Sequence, residues 1–130
     1  MSDVEALIRM VPEHKISASE ETDPDTLTNL FKKIVADGYW THPIVLEEDN
    51  LVVMDGHHRL AVARSLKLRA VPAVLYSYRD VRVESRRDDR TVSPAQIIRC
   101  GLTNTLMPAK TTRHCFPTTL TCSIALSDLM

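Results

Sequence analysis

The sequence has no run of about 18 consecutive apolar residues, which excludes a membrane-spanning helix. Its first residues, Met1-Ser2-Asp3-Val4-Glu5, lack a basic region followed by an apolar stretch, so a soluble, unprocessed, cytoplasmic chain is expected. Net charge is also missing: sixteen Lys and Arg offset seventeen Asp and Glu, leaving -1. No global field draws such a protein to nucleic acid or anionic lipid, so any anion site must be local. Cysteine is scarce. Cys100, Cys115 and Cys122 cannot all pair within one molecule, and none stands in a Cys-x-x-Cys or Cys-His metal spacing, so reduced thiols are expected. Internal repeats and low-complexity tracts are absent as well.

What remains is globular composition, 130 residues with 44% hydrophobic and 25% charged, the length of one domain spanning 1–130. Val11 to Glu21 reads as a short strand and then a loop. Asp23 stands where an N-cap belongs and Pro24 at the first helical position. Leu27, Leu30, Phe31, Ile34 and Val35 then recur at three- and four-residue spacing up to Gly38, which predicts a helix. Pro43 to Leu46 and Leu51 to Met54 are β-rich runs separated by four turn-type residues, a hairpin pattern. Asp55-Gly56 follows, and then a helical pattern from His58 to Leu68. Val71 to Tyr76 is a further strand. Arg79 to Arg90, dense in both charge signs, reads as a solvated loop. Ser93-Pro94 opens a short helix that Gly101 can end, and the tail through Ile124, Leu126 and Leu129 adds a strand or turn.

The histidines therefore lie at a strand-to-helix junction. A helix N-terminus offers unpaired N–H groups and the positive end of a dipole, which together attract anions. Gly56 removes the Cβ that would keep a phosphate away, Arg59 adds a planar permanent cation, and His57 and His58 add donors near neutral pH. The position suits a di- or triphosphate. Asp55 could cap the helix or hold Mg²⁺ against phosphate oxygens, and the two roles are compatible. No third ligand stands at a spacing that would make the histidine pair a zinc site. Lys110-Thr111-Thr112-Arg113-His114 gathers two cations, two hydroxyls and a titratable ring, either as a solvated basic loop or as a binding segment. Glu20 is a surface carboxylate or a base that takes a proton from an attacking hydroxyl.

Several blocks resemble the ParB/sulfiredoxin-like proteins and, within them, free L-serine kinases and their siderophore-pathway relatives. Val53-Met54-Asp55-Gly56-His57-His58-Arg59-Leu60 is similar to an Asp-Gly-His-His-Arg phosphate motif, and Pro108-Ala109-Lys110-Thr111-Thr112-Arg113-His114 resembles a Pro-x-Lys-Thr-Thr-Arg-His block. Val11 to Glu21, Asp37 to Leu46 and Leu126 to Leu129 also have counterparts. The resemblance implies an α+β domain, a small mixed sheet with helices packed around it. It also implies phosphoryl transfer from ATP or ADP, with Mg²⁺, to the hydroxyl of free serine. Glu20 would then be the base and Asp55 would sit at the metal and the reacting phosphate. Gly56, His57, His58, Arg59, Lys110 and Thr111 would hold phosphates, and Thr112, Arg113 and His114 the amino acid.

Two departures stand out. Arg86 takes the place where serine kinases of this kind carry an aromatic residue, and the segment before the Lys-Thr-Thr-Arg-His block is short. The pocket is therefore barer, or completed by a second copy in a homodimer. A ParB-like regulator would carry a Gly-Glu-Arg-Arg type motif and a helix-turn-helix, and this chain has neither. A sulfiredoxin-like repair enzyme needs a cysteine within positions 55 to 59, where none occurs. A heme or ligand sensor would draw axial ligands from His57, His58, His114 or Cys115.

Overall fold

The computed structural model describes residues 7–130, so the reading of Met1 to Glu5 above lies outside the described residues. Strands β1 (Arg9–Pro12), β3 (Ile44–Glu47), β4 (Val53–Asp55) and β5 (Ala70–Tyr76) form a mixed sheet in the order β1-β5-β3-β4. β5 runs antiparallel to β1 and parallel to β3, and β3 pairs antiparallel with β4 through a register shift at Val45/Leu46. Helices α1 (Pro24–Asp37) and α2 (His57–Ser65) pack on one another, and α2 also contacts β3. Two ribbons complete the fold: β2 (Tyr39–Trp40) with β8 (Ile124–Ala125), and β6 (Arg82–Ser85) with β7 (Thr112–Cys115). Helix α3 (Pro94–Thr103) lies between β6 and β7 in the chain.

Helix α1 follows its sequence signals closely. Asp23 accepts from the Thr26 N–H at 2.9 Å and from the Thr26 hydroxyl at 2.7 Å. Pro24 fills the first turn, and Gly38, at φ 73°, closes the end by donating to the Ile34 carbonyl. Ile34 is buried and Leu27, Leu30 and Phe31 pack against the core, whereas Val35 is exposed. In α2, Leu60, Val62 and Ala63 are all buried, so this helix is enclosed on more than one side. The β3–β4 turn is folded over a buried carboxylate: Glu47 accepts from the N–H groups of Asp49 and Asn50.

Three expectations need correction. Arg79 to Arg90 is not all loop, because β6 lies within it. Val81 is buried and Val83 half-buried while Arg82 and Glu84 point outward, a period of two that the density of charges obscures. Gly101 does not end α3; Asn104 does, in the left-handed region at φ 55°. Gly101 is instead buried inside the helix, where a Cβ would lie 2.7 Å from both methyls of Val52. Asp55 is not a cap either. It is the last residue of β4, and Gly56 occupies the cap position of α2.

The contact at Gly101 reverses the usual effect of replacing a helical glycine. Alanine in a helix interior ordinarily gains about 1 kcal/mol over glycine. Here overpacking against Val52 outweighs that gain, and Gly101→Ala should destabilise the protein by about 1–3 kcal/mol. A lowered urea midpoint is the expected readout; an unchanged or raised midpoint would show that Val52 yields freely.

Candidate active site at the junction of β4 and α2

Gly56 makes the junction possible. Its φ of 111° is a conformation that side chains rarely adopt, and a Cβ there would lie 3.2 Å from the Arg59 guanidinium and from Ile44. No side chain caps α2, so the N–H groups of its first turn are open to a ligand. Arg59 lies over this turn with both ends fixed, one nitrogen donating to the Pro43 carbonyl at 2.9 Å and another to Asp55 Oδ2 at 3.0 Å. Asp55 therefore keeps Oδ1 for a further partner. A Mg²⁺ ion that takes one carboxylate oxygen and fills its remaining positions with phosphate and water fits this donor set.

His57 reaches away from the junction to the Ser19–Glu20 segment. Its Nε2 accepts from the N–H groups of Ser19 at 3.1 Å and Glu20 at 3.2 Å, with the Ser19 hydroxyl at 3.2 Å. Accepting two N–H donors requires a lone pair on Nε2, so the ring proton belongs on Nδ1. Burial lowers the His57 pKa to about 4; His58 lowers it further, while Asp55 opposes. His58 accepts from the Asp23 N–H at 2.9 Å, and its pKa is lowered by burial and by Lys110. The expectation of cationic donors is thus corrected. Both rings are neutral at pH 7 and use Nε2 to hold backbone.

Glu20 is 6% exposed, and its oxygens accept from the Thr111 N–H at 2.9 Å and from the Thr112 hydroxyl. Backbone bonds between Ser19 and Met107 and between Glu21 and Met107 set this register. Glu20 is therefore not a surface carboxylate; it joins the segment after β1 to the segment before β7.

A polar cavity of about 180 Å³ opens at this meeting point. Glu20, Asp55, Gly56, His57, His58, Arg59, Lys110 and Thr112 all line it. Three expected site residues do not. Thr111 is fully buried behind the wall, its hydroxyl donating to the Pro108 carbonyl at 2.6 Å. Arg113 is exposed, registered opposite Glu84 in the β6–β7 ladder. His114 pairs through Nε2 with the Tyr78 hydroxyl at 2.8 Å and stacks on Phe116. Burial lowers its pKa to about 4, while Glu20 and Asp55 oppose, and burial raises that of Tyr78, so the phenol remains a donor. The imidazole Nε2 atoms of His57, His58 and His114 that a heme would need are all engaged.

Glu21 and Arg86 also line the polar cavity, and only Arg86 carried a signal, as the residue standing in place of an aromatic. A second cavity of about 350 Å³ shares Leu30, Asp55 and Arg59 with the first. Ile34, Trp40, Pro43, Tyr76, Phe116 and Leu120 make its wall largely apolar. Residues from six separate elements and the loops after β2 and β7 line this cavity, which no local motif could announce.

His57 and His114 make stability depend on pH. Each pKa falls from 6.5 to about 4 on folding, so the unfolded chain binds protons that the native state refuses. Their contribution is complete above pH 6.5 and is lost as pH falls toward 4, on the order of 3 kcal/mol for each ring. Urea unfolding at pH 7 and pH 4.5 should show this loss, and a flat stability between pH 6.5 and 4.5 would contradict the buried, neutral rings.

No protein-family model matches the chain. It is 37% identical over 57 residues to a ParB-like protein of Sulfolobus acidocaldarius, covering 44% of this chain. Over 74 residues it is 35% identical to an ATP-dependent L-serine kinase of Staphylothermus marinus, covering 54% of this chain. In both cases the match spans 29% of the relative's length. Among solved structures, a free serine kinase in complex with AMP aligns with a TM-score of 0.86 at 13% identity, covering 95% of this chain and 93% of that one. SbnI of Staphylococcus aureus with a C-terminal truncation aligns with a TM-score of 0.87 at 14% identity, covering 99% and 91%. The chain has the ParB/sulfiredoxin-like fold that it shares with free serine kinase and SbnI.

Proposed function

We propose that this chain is a cytoplasmic, nucleotide-dependent kinase that phosphorylates the hydroxyl of free L-serine to give O-phospho-L-serine, using a single domain over residues 1–130. The observation that carries the reading is the buried carboxylate of Glu20 on the same cavity wall as the open first turn of α2. A base and a phosphate cradle facing one small space are what transfer to a hydroxyl requires. The L-serine kinase named among the relatives and the free serine kinase that shares the fold support the same reaction.

The nucleoside fits the apolar cavity, and its phosphates extend past Asp55 and Arg59 onto the N–H groups of α2. Glu20 takes the proton of the serine hydroxyl as that oxygen attacks the terminal phosphorus. The bond from phosphorus to the bridging oxygen breaks, and the nucleotide leaves one phosphate shorter. Gly56 admits the phosphate, Lys110 and Arg59 offset its charge, and the neutral rings of His57 and His58 can donate from Nδ1. Mg²⁺, held by Asp55, would neutralise phosphate charge. The roles of Thr111 and His114 in this reading are to hold Glu20 and the β6–β7 ribbon in place.

Incubating the protein with Mg²⁺, ATP or ADP and a panel of hydroxy amino acids should yield O-phosphoserine by mass spectrometry. Absence of product with every donor would overturn the kinase reading. Glu20→Gln should lower kcat by roughly 10²–10⁴ with nucleotide affinity retained; full activity in that variant would remove Glu20 as the base. Arg59→Ala should weaken nucleotide binding about tenfold or more, and unchanged affinity would remove it from the cradle.

A further inference from the structure

The charged groups of the polar cavity divide into those already engaged and those left free. Arg59 is held by Asp55 and Pro43, Asp55 by Arg59, and Glu20 by Thr111 and Thr112. Among the described residues, Glu21, Arg86 and Lys110 line the cavity with no ion pair and no side-chain hydrogen bond.

These three differ in where the backbone puts them. Lys110 stands on the phosphate side, close enough to His58 and Asp23 for its charge to act on both. Arg86 stands on the side of the base. Its N–H donates to the Thr111 carbonyl at 2.8 Å, while the Thr111 N–H donates to Glu20 at 2.9 Å, so Arg86 and Glu20 grip the two ends of one residue. Glu21 follows Glu20 directly, its N–H fixed to the Met107 carbonyl at 2.8 Å. An acceptor that presents its hydroxyl to Glu20 therefore finds a free guanidinium and a free carboxylate lining the same cavity. Arg113, the arginine expected to bind the amino acid, is off this wall.

We infer that Arg86 and Glu21 form a charge clamp for a zwitterion, Arg86 holding the carboxylate of the acceptor and Glu21 its ammonium. The acceptor class this selects is the free α-amino acid with a short hydroxylated side chain. Hydroxy acids lacking the ammonium and amino alcohols lacking the carboxylate each leave one of the two charges unpaired. This inference rests on the kinase reading for the hydroxyl but not for the two charges, and the test separates them.

L-alanine carries both charges and no hydroxyl, so its binding reports the clamp without phosphoryl transfer. Ligand-observed NMR with L-alanine, ethanolamine and glycolate, in the presence of Mg²⁺ and a nucleotide, should show L-alanine binding to the unmodified protein. Arg86→Ala and Glu21→Gln should each weaken it about tenfold or more, Arg86→Lys should restore part of it, and nucleotide affinity should not change. In the transfer assay Arg86→Ala should raise the serine KM by a similar factor and leave kcat nearly unaltered. L-alanine binding that fails in the unmodified protein, or is equal in the variants, would overturn the clamp. So would a loss of nucleotide affinity in Arg86→Ala with L-alanine binding intact, which would make Arg86 a phosphate ligand. Clamped L-alanine with no transfer to serine would leave the clamp standing and remove the kinase.

Discussion

Three distant stretches of chain meet at one buried carboxylate, and the cavity depends on that meeting. Glu20 is held from below by His57, whose Nε2 receives the two successive N–H groups of Ser19 and Glu20, and from the side by Thr111 and Thr112. A buried anion is costly unless its oxygens are satisfied by hydrogen bonds. Here that requirement is met by the very segments that carry the cations and hydroxyls of the site. The first turn of α2, the Glu20 carboxylate and the Lys110 segment are thereby kept in one register. Neutral His57 matters to this arrangement, since a protonated Nε2 would meet two N–H donors with a third.

The division of labour between the two motifs is sharper in three dimensions than along the chain. In the Asp55 to Arg59 turn, the backbone N–H groups, Asp55 Oδ1, the Nδ1 atoms of His57 and His58 and the open edge of Arg59 carry no prior commitment, whereas both Nε2 atoms are spent on backbone. In the Lys110 to His114 block, alternation along β7 decides the roles. Thr112 faces inward, Arg113 outward, and His114 is drawn into an aromatic cluster with Tyr78 and Phe116. The absence of net charge fits this picture, because the cations that matter are few and placed individually rather than as a field.

The sequence made legible those features whose causes are local. The start and end of α1 follow from Asp23, Pro24 and Gly38, and the strand-to-helix junction from Gly56 before a helical pattern. Features set by tertiary contact were not legible. Gly101 has the look of a helix stop because glycine often is one; only the methyls of Val52 explain why it lies mid-helix. β6 was hidden because its outward residues are charged and its partner lies nearly thirty positions downstream, in β7. The charge state of His57 could not be read from its neighbours in sequence, because burial and Ser19, 38 residues away, decide it.

The bond from the Thr111 N–H to Glu20 closes a loop of 91 residues. Closing a loop of that size has an entropic cost that local structure cannot offset beforehand, and contacts of such separation form late in folding. During synthesis, α1, the β3–β4 hairpin and the turn between β4 and α2 are all on hand well before residues 111 and 112 emerge. Until then the carboxylate of Glu20 has no partners on that side. The growing chain can thus assemble the β4–α2 turn early, but Glu20 gains its partners on that side only when β7 docks, which leaves the cavity unfinished until nearly all of its scaffold is present.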